Sequence, residues 1–314
     1  MNTPSSASPL TIFCGKGGVG KTSLALAFAL RHAEQGKSVL VVTSHPIREL
    51  AVAVSLAGLK QKHPAAAANL FVVHLDPLEI LAAKVRQVVP SETLAKRVLA
   101  SPIYKSLIEV APGLKEMAFL GRLHQIARER RGEGAAKFDL LVWDAPATGH
   151  FIQTLQVSQR FETYLSGPFA LLGKEVAEFF QDASNLTVIP IATLEDMAVE
   201  ETIEMCATLA GELHLRPSAV ICNLASPLLA QPETEFETLR DKVEKKVEDT
   251  AAGDAGLRFI FERQEIERAL YRKLRSSVLT KLHIVERCAS WNSDLELLWD
   301  LSRQLGGIAG ELIP

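Results

Sequence analysis

The chain has 314 residues, 47% of them hydrophobic and 23% charged, with a formal net charge of −3. This composition supplies a sizeable core for one large domain or two smaller ones, and the slight negative charge excludes a general nucleic-acid binder, which needs a basic stripe against phosphates. No stretch is apolar for long enough to span a bilayer, and Met1 to Pro9 is short and without charged side chains, so neither an intrinsic membrane segment nor a secretory signal is expected and the cytoplasm is the expected location.

Leu10–Cys14 is an apolar run that reads as a buried parallel strand, and Ser23–His32 reads as a helix stopped by Gly36. Between them lies Gly15-Lys16-Gly17-Gly18-Val19-Gly20-Lys21-Thr22, which satisfies the phosphate-cradling pattern G-x-x-x-x-G-K-[ST] in the strand, loop and helix context that the pattern requires. Glycines let the backbone wrap around phosphate oxygens and point its N–H groups inward, beside a helix N-terminus that already favours anions. Lys21 is expected at the β- and γ-phosphates and Thr22 on Mg²⁺, with Gly15 through Ser23 as the nucleotide-binding stretch.

Further strands are expected at Val39–Val42, Leu70–His74, Phe138–Trp143, Leu186–Ile189 and Ala219–Cys222. The helical stretches between them are long enough to be crossovers, so the pattern predicts an α/β fold with a doubly wound, mainly parallel sheet. Two regions interrupt the alternation. Leu78–Arg131 contains several helical segments broken by Pro90, Pro102 and Pro112, and Phe151–Ala183 is helical with a break near Gly167-Pro168. They predict an inserted helical subdomain, from about 78–135 and 151–185, within a single domain over 1–314. Its apolar positions are expected to be helix–helix core, with a client or partner surface as the alternative.

The strand ending Leu141-Val142-Trp143 delivers Asp144, a carboxylate suited to the Mg²⁺ shell beside a phosphate loop, and Ala145-Pro146-Ala147-Thr148-Gly149-His150 forms a turn that can change conformation with phosphate state. Gln231–Asp254 reads as a charged surface helix, and Glu262–Leu274 and Ser290–Leu305 as amphipathic helices closing the fold. Cys14, Cys206, Cys222 and Cys288 are too far apart in sequence to form a C-x-x-C metal or redox pair and read as structural.

The second lysine of the loop, Lys16, narrows the class: in this the loop resembles the deviant Walker A proteins, among them the ParA/MinD-type positioning ATPases, the nitrogenase iron-protein-like ATPases and the ArsA/GET group. The resemblance implies a nucleotide-sandwich dimer in which Lys16 reaches the partner's phosphates like an arginine finger. Most of the chain is similar to the ArsA/GET ATPases. Asp144-Ala145-Pro146-Ala147-Thr148-Gly149-His150 resembles the family's D-T-A-P-T-G-H switch, Leu75-Asp76-Pro77 its I-D-P, and Ile221-Cys222-Asn223 its strand-end V-V-N. The family pattern implies that Asn223 contacts adenine, so ATP with Mg²⁺ is the expected cofactor, and a homodimer or a heterodimer with a paralogous ATPase is the expected assembly. A protein client or a membrane-protein partner is also implied.

The resemblance breaks after the second strand. The family has S-T-D-P-A-H-S there, with an aspartate that positions the attacking water, whereas this chain has Thr43-Ser44-His45-Pro46-Ile47-Arg48-Glu49. Three outcomes stand open: His45 serves as the base, Glu49 substitutes, or hydrolysis is impaired or partner-dependent. The functions in contention are thus a dimeric Mg²⁺-ATPase, with Lys16, Lys21, His45 and Asp144 as catalytic residues, and a non-catalytic nucleotide-binding subunit. A ParA/MinD-like positioning ATPase is a third, weakened because Gly306–Pro314 is not a basic amphipathic helix.

Overall fold

The apolar runs are rich in branched side chains without polar alternation, which suits strands covered on both faces. In the computed structural model, which describes residues 10–43, 64–131, 138–159, 168–230, 232–248, 255–288 and 292–307, these runs build one sheet. Its strands are β1 (Leu10–Gly15), β2 (Val39–Thr43), β3 (Leu70–His74), β4 (Leu140–Ala147), β5 (Leu186–Thr193), β6 (Ala219–Ala225) and β7 (Lys281–Glu286). They lie in the order β3-β2-β4-β1-β5-β6-β7, and every pairing is parallel. The doubly wound α/β expectation therefore holds.

The helices follow in chain order as α1 (Lys21–Glu34), α2 (Pro64–Asn69), α3 (Pro77–Val88), α4 (Glu92–Ala100), α5 (Pro102–Val110) and α6 (Leu114–Arg131), then α7 (Thr148–Gln159), α8 (Pro168–Gln181), α9 (Asp196–Gly211), α10 (Glu233–Glu248), α11 (Ala255–Ser277) and α12 (Asp294–Gly306). Alternate residues of β1 serve opposite layers, as the two-residue period of a strand requires. Phe13 packs with Leu24 and Phe28 of α1 and with Leu298 and Leu305 of α12. Leu10, Ile12 and Cys14 face Leu120 and Leu123 of α6, Phe151 of α7 and Val176 of α8.

Several boundaries differ from the sequence expectation. β4, β5 and β6 run past their apolar stretches to Ala147, Thr193 and Ala225, because main-chain pairing continues after the side chains turn polar: Asp144 pairs with Phe13 on one side and Thr43 on the other. Pro190 lies inside β5, yet pairing with β6 begins only at Ile191, so its missing N–H interrupts nothing on that side. β7 is unanticipated. It is flanked by charged Lys281 and Glu286 and fully buries only His283 and Val285, as a short edge strand can. α11 is longer than the expected Glu262–Leu274 and α12 starts later than Ser290.

The helical breaks fall at Pro90, Pro102 and Pro112 as expected: α3 ends at Val88 and α4 begins at Glu92, α5 begins at Pro102, and α6 begins at Leu114. Pro77 and Pro102 occupy first helical positions, and the preceding Asp76 and Ser101 accept hydrogen bonds from Leu78 N and Tyr104 N at 2.8 and 3.2 Å. The expectation that the apolar side chains of this region form core is only half met. α6 contributes Leu120, Leu123 and Ala127 to the core, but α3 and α5 bury no residue and α4 only Ala95. Val88, Leu94, Ile103, Leu107 and Val110 are exposed.

Candidate nucleotide site at the C-terminal end of the sheet

β1 lies at the centre, with β4, β2 and β3 on one side and β5, β6 and β7 on the other. In an open α/β sheet the crevice past the strand ends at such a reversal is where ligands bind. The segment Gly15–Gly20 leaves β1 into that crevice and returns as α1.

Two glycines there are demanded by the chain itself. At Gly15 a Cβ would stand 2.3 Å from the Ile191 carbonyl oxygen of β5, and at Gly20 (φ +91°) it would stand 2.4 Å from Asn223 Nδ2. At Gly17 and Gly18 an added Cβ would meet nothing within 4 Å among the described residues. Val19, 2% exposed, anchors the loop by its side chain in the core beside α1.

Lys21 bends back so that its Nζ donates to the Lys16 carbonyl at 2.9 Å, closing the loop on itself. Burial lowers its pKa, and the carboxylate of Asp144 and then Cys14 oppose that shift. Thr22 Oγ1 donates to Asp144 Oδ2 at 2.6 Å, across from β4, and Asp144 is buried. The hydroxyl and the carboxylate are hard oxygen donors of the type Mg²⁺ takes when it is held by one or two protein groups and by phosphate oxygens. Among the described residues no three His, Cys, Asp or Glu side chains converge into a self-sufficient metal cage. The Thr22 hydroxyl and the Asp144 carboxylate fit an Mg²⁺ that takes its other ligands from phosphate and water.

Asn223, at the end of β6, is brought to the same loop: its Nδ2 donates to the Val19 carbonyl at 2.8 Å. Lys16 points elsewhere. Its Nζ lies 3.0 Å from Glu201 Oε1 on α9, a partly exposed pair that sequence reasoning did not anticipate; a helix glutamate carries no local signal for such a role. Ser23 lies in the first turn of α1. His45, with Ser44 and Glu49, lies outside the described residues. The cysteines are free, and burial pushes Cys206 and Cys222 up to about 12, as inert packing thiols require.

A glycine-rich turn from a central parallel strand, a lysine folded over it, and a Thr–Asp pair beside it define a P-loop nucleotide-binding protein. The family of anion-transporting ATPases matches over residues 9–173, and the chain belongs to it. It is similar to the arsenical pump-driving ATPases of Acidiphilium multivorum, 26% identical over 268 residues (79% of this chain and 44% of that one), and of Escherichia coli, 26% over 262 residues (78% and 43%). It is also similar to the ATPase GET3 of Malassezia globosa, 26% over 187 residues (59% and 53%). The chain thus spans less than half the length of the two arsenical pump-driving ATPases. Among the described residues no helix is long and apolar enough to cross a membrane.

Proposed function

We propose that the chain binds ATP and, with Mg²⁺, hydrolyses it as a cytoplasmic dimer, coupling phosphate state to its helical region. The observation that carries this reading is the Thr22–Asp144 contact at 2.6 Å beneath a loop that Lys21 closes. In this reading the loop amides and Lys21 bind and neutralise the phosphates, and Thr22 and Asp144 would hold Mg²⁺. Bound Mg²⁺ supplies charge neutralisation at the transferring phosphoryl group. β4 runs through Asp144 to Ala147 and passes directly into α7 at Thr148, with no turn between them, so Asp144 links the site to α7 and to the helices that pack on it.

Lys16 acts across the interface of a homodimer, or of a heterodimer with a paralogue, once it leaves Glu201. The exposed side chains of α3–α5 are the surface for a protein client or membrane-protein partner; Ile103, Val110 and Val88 are 82, 75 and 72% exposed. The helical subdomain of 78–135 and 151–185 is, in this reading, the moving part of a single domain.

One observation favours a second reading, a nucleotide-binding subunit without turnover: His45 stands where the family motif has an aspartate. ATP turnover by the purified chain, alone and with a paralogous partner, separates the two, with Lys21→Ala as the site control. Magnesium-dependent turnover that Lys21→Ala abolishes is the expected result. ATP binding without turnover in either setting selects the second reading.

A further inference from the structure

We propose that Asn223 is a positioning residue for the phosphate loop, acting as a strut from β6 that fixes the Val19–Gly20 peptide. This goes beyond a contact with the base, and it rests on the reading that Gly15–Thr22 holds phosphates. Asn223 is 4% exposed, and its Nδ2 donates to the Val19 carbonyl at 2.8 Å. In a trans peptide the C=O and the following N–H point in opposite directions. Holding the Val19 oxygen toward β6 therefore turns the Gly20 N–H away from it, and that amide cannot swing round without breaking the strut. Gly20 stands immediately before Lys21, so its amide belongs to the set that a phosphate loop directs at its ligand.

Three features make the contact built rather than incidental. The Val19 side chain is locked in the core, so the peptide is held from two sides. Gly20 is at φ +91°, a conformation strained for any L side chain, and a Cβ there would stand 2.4 Å from Asn223 Nδ2, so a substitution would push the strut aside. The β6–β7 register then shifts between Cys222 and Ala225, with Leu224 at φ +56°, a conformation costly for a residue with a Cβ. That irregularity leaves Asn223 buried against the loop and Leu224 exposed. Strain at such a point is informative about function only through what it positions, and here it positions one amide.

The other end of the amide is left over. Asn223 Oδ1 is buried and accepts no hydrogen bond among the described residues. An amino donor on a bound base can take that oxygen while Nδ2 keeps the Val19 carbonyl, so a single side chain links base occupancy to phosphate-loop shape.

The two roles separate with a ligand that has no base. Magnesium tripolyphosphate and MgATP are titrated into the wild-type chain, Asn223→Ala, Asn223→Asp and the Lys21→Ala control, well below each variant's unfolding temperature, and amide hydrogen exchange of the Gly15–Thr22 segment is followed in the nucleotide-free proteins. Aspartate keeps an acceptor for an amino donor but cannot donate to Val19 when ionised. The strut predicts that both variants bind tripolyphosphate about tenfold more weakly and exchange loop amides faster, with Asn223→Asp no better than Asn223→Ala for ATP. Unchanged tripolyphosphate affinity and loop exchange, with weakened ATP binding in Asn223→Ala alone, overturns the strut and leaves a base contact. If wild type and Lys21→Ala bind neither ligand differently, the phosphate-loop reading falls instead. Should tripolyphosphate bind wild type too weakly to titrate, loop exchange decides: no change in either variant overturns the proposal.

Discussion

Leu10–Glu34 and Pro77–Val110 are both rich in apolar residues, yet they put them to opposite uses. In the first, every residue of β1 is buried and α1 buries Leu24 to Leu30 without a break, together with His32 and Ala33. In the second, three helices bury one alanine between them. A phosphate loop has to be held in one shape before a ligand arrives, and a strand and a helix locked into one core do that. An apolar face left on the surface does nothing for the chain's own stability and points to something outside it.

The largest test of this contrast is in stability. Phe28 is fully buried, with its ring centroid 5.3 Å from that of Phe13. Phe28→Ala is expected to cost about 3–5 kcal/mol of unfolding free energy, whereas Ile103→Ser on α5 changes it by no more than about 0.5 kcal/mol. Urea denaturation measures both. A loss of several kcal/mol for Ile103→Ser breaks the comparison, because Ile103 must then be covered in solution.

Next in size is binding. Lys21 is a half-buried cation folded over the loop, and Lys21→Ala is expected to weaken ATP by about 100-fold, the loss of one charge-assisted contact of about 3 kcal/mol. The pair Ile103→Ser and Val110→Ser leaves ATP affinity where it was, if that face serves a partner. Calorimetric titration reads both, and a shared loss means that α5 supports the site after all.

The contrast also marks what the sequence makes legible. Gly15–Thr22 could be read at once, because its glycines and lysine answer to local geometry and to a ligand rather than to distant packing. Asp144 followed from the strand beneath it. The contacts between remote residues could not be read: Glu201 is one of several acids on α9, and nothing local distinguishes it as the partner of Lys16. Asn223 was read as an adenine contact, whereas its hydrogen bond to the Val19 carbonyl was not foreseen, since that bond depends on how β6 lies against the loop. β7 escaped because an edge strand with charged ends carries little apolar signal, and the exposure of α3–α5 because periodicity shows that a helix has an apolar face without showing what covers it.

The smallest expected effect lies inside the well-packed region and sharpens the comparison from within. His32, in the last turn of α1, is 4% exposed, with the Phe28 ring 4.7 Å away edge-on and Lys37 Nζ 3.4 Å from its Nδ1. Burial first, and then the charge of Lys37, lower its pKa from 6.5 to about 4. Between those values the unfolded chain binds a proton that the folded chain refuses, so stability is complete above about pH 6.5 and is lost as the pH falls toward 4. From pH 7 to pH 5 the single-site loss is about 2 kcal/mol. Urea unfolding at pH 7, 6 and 5 should show this slope in the wild type and a flatter one in His32→Leu, which keeps the packing and removes the titration. Equal slopes in the two proteins would mean that His32 takes up its proton in place, and that the wall behind the phosphate loop yields more than its burial suggests.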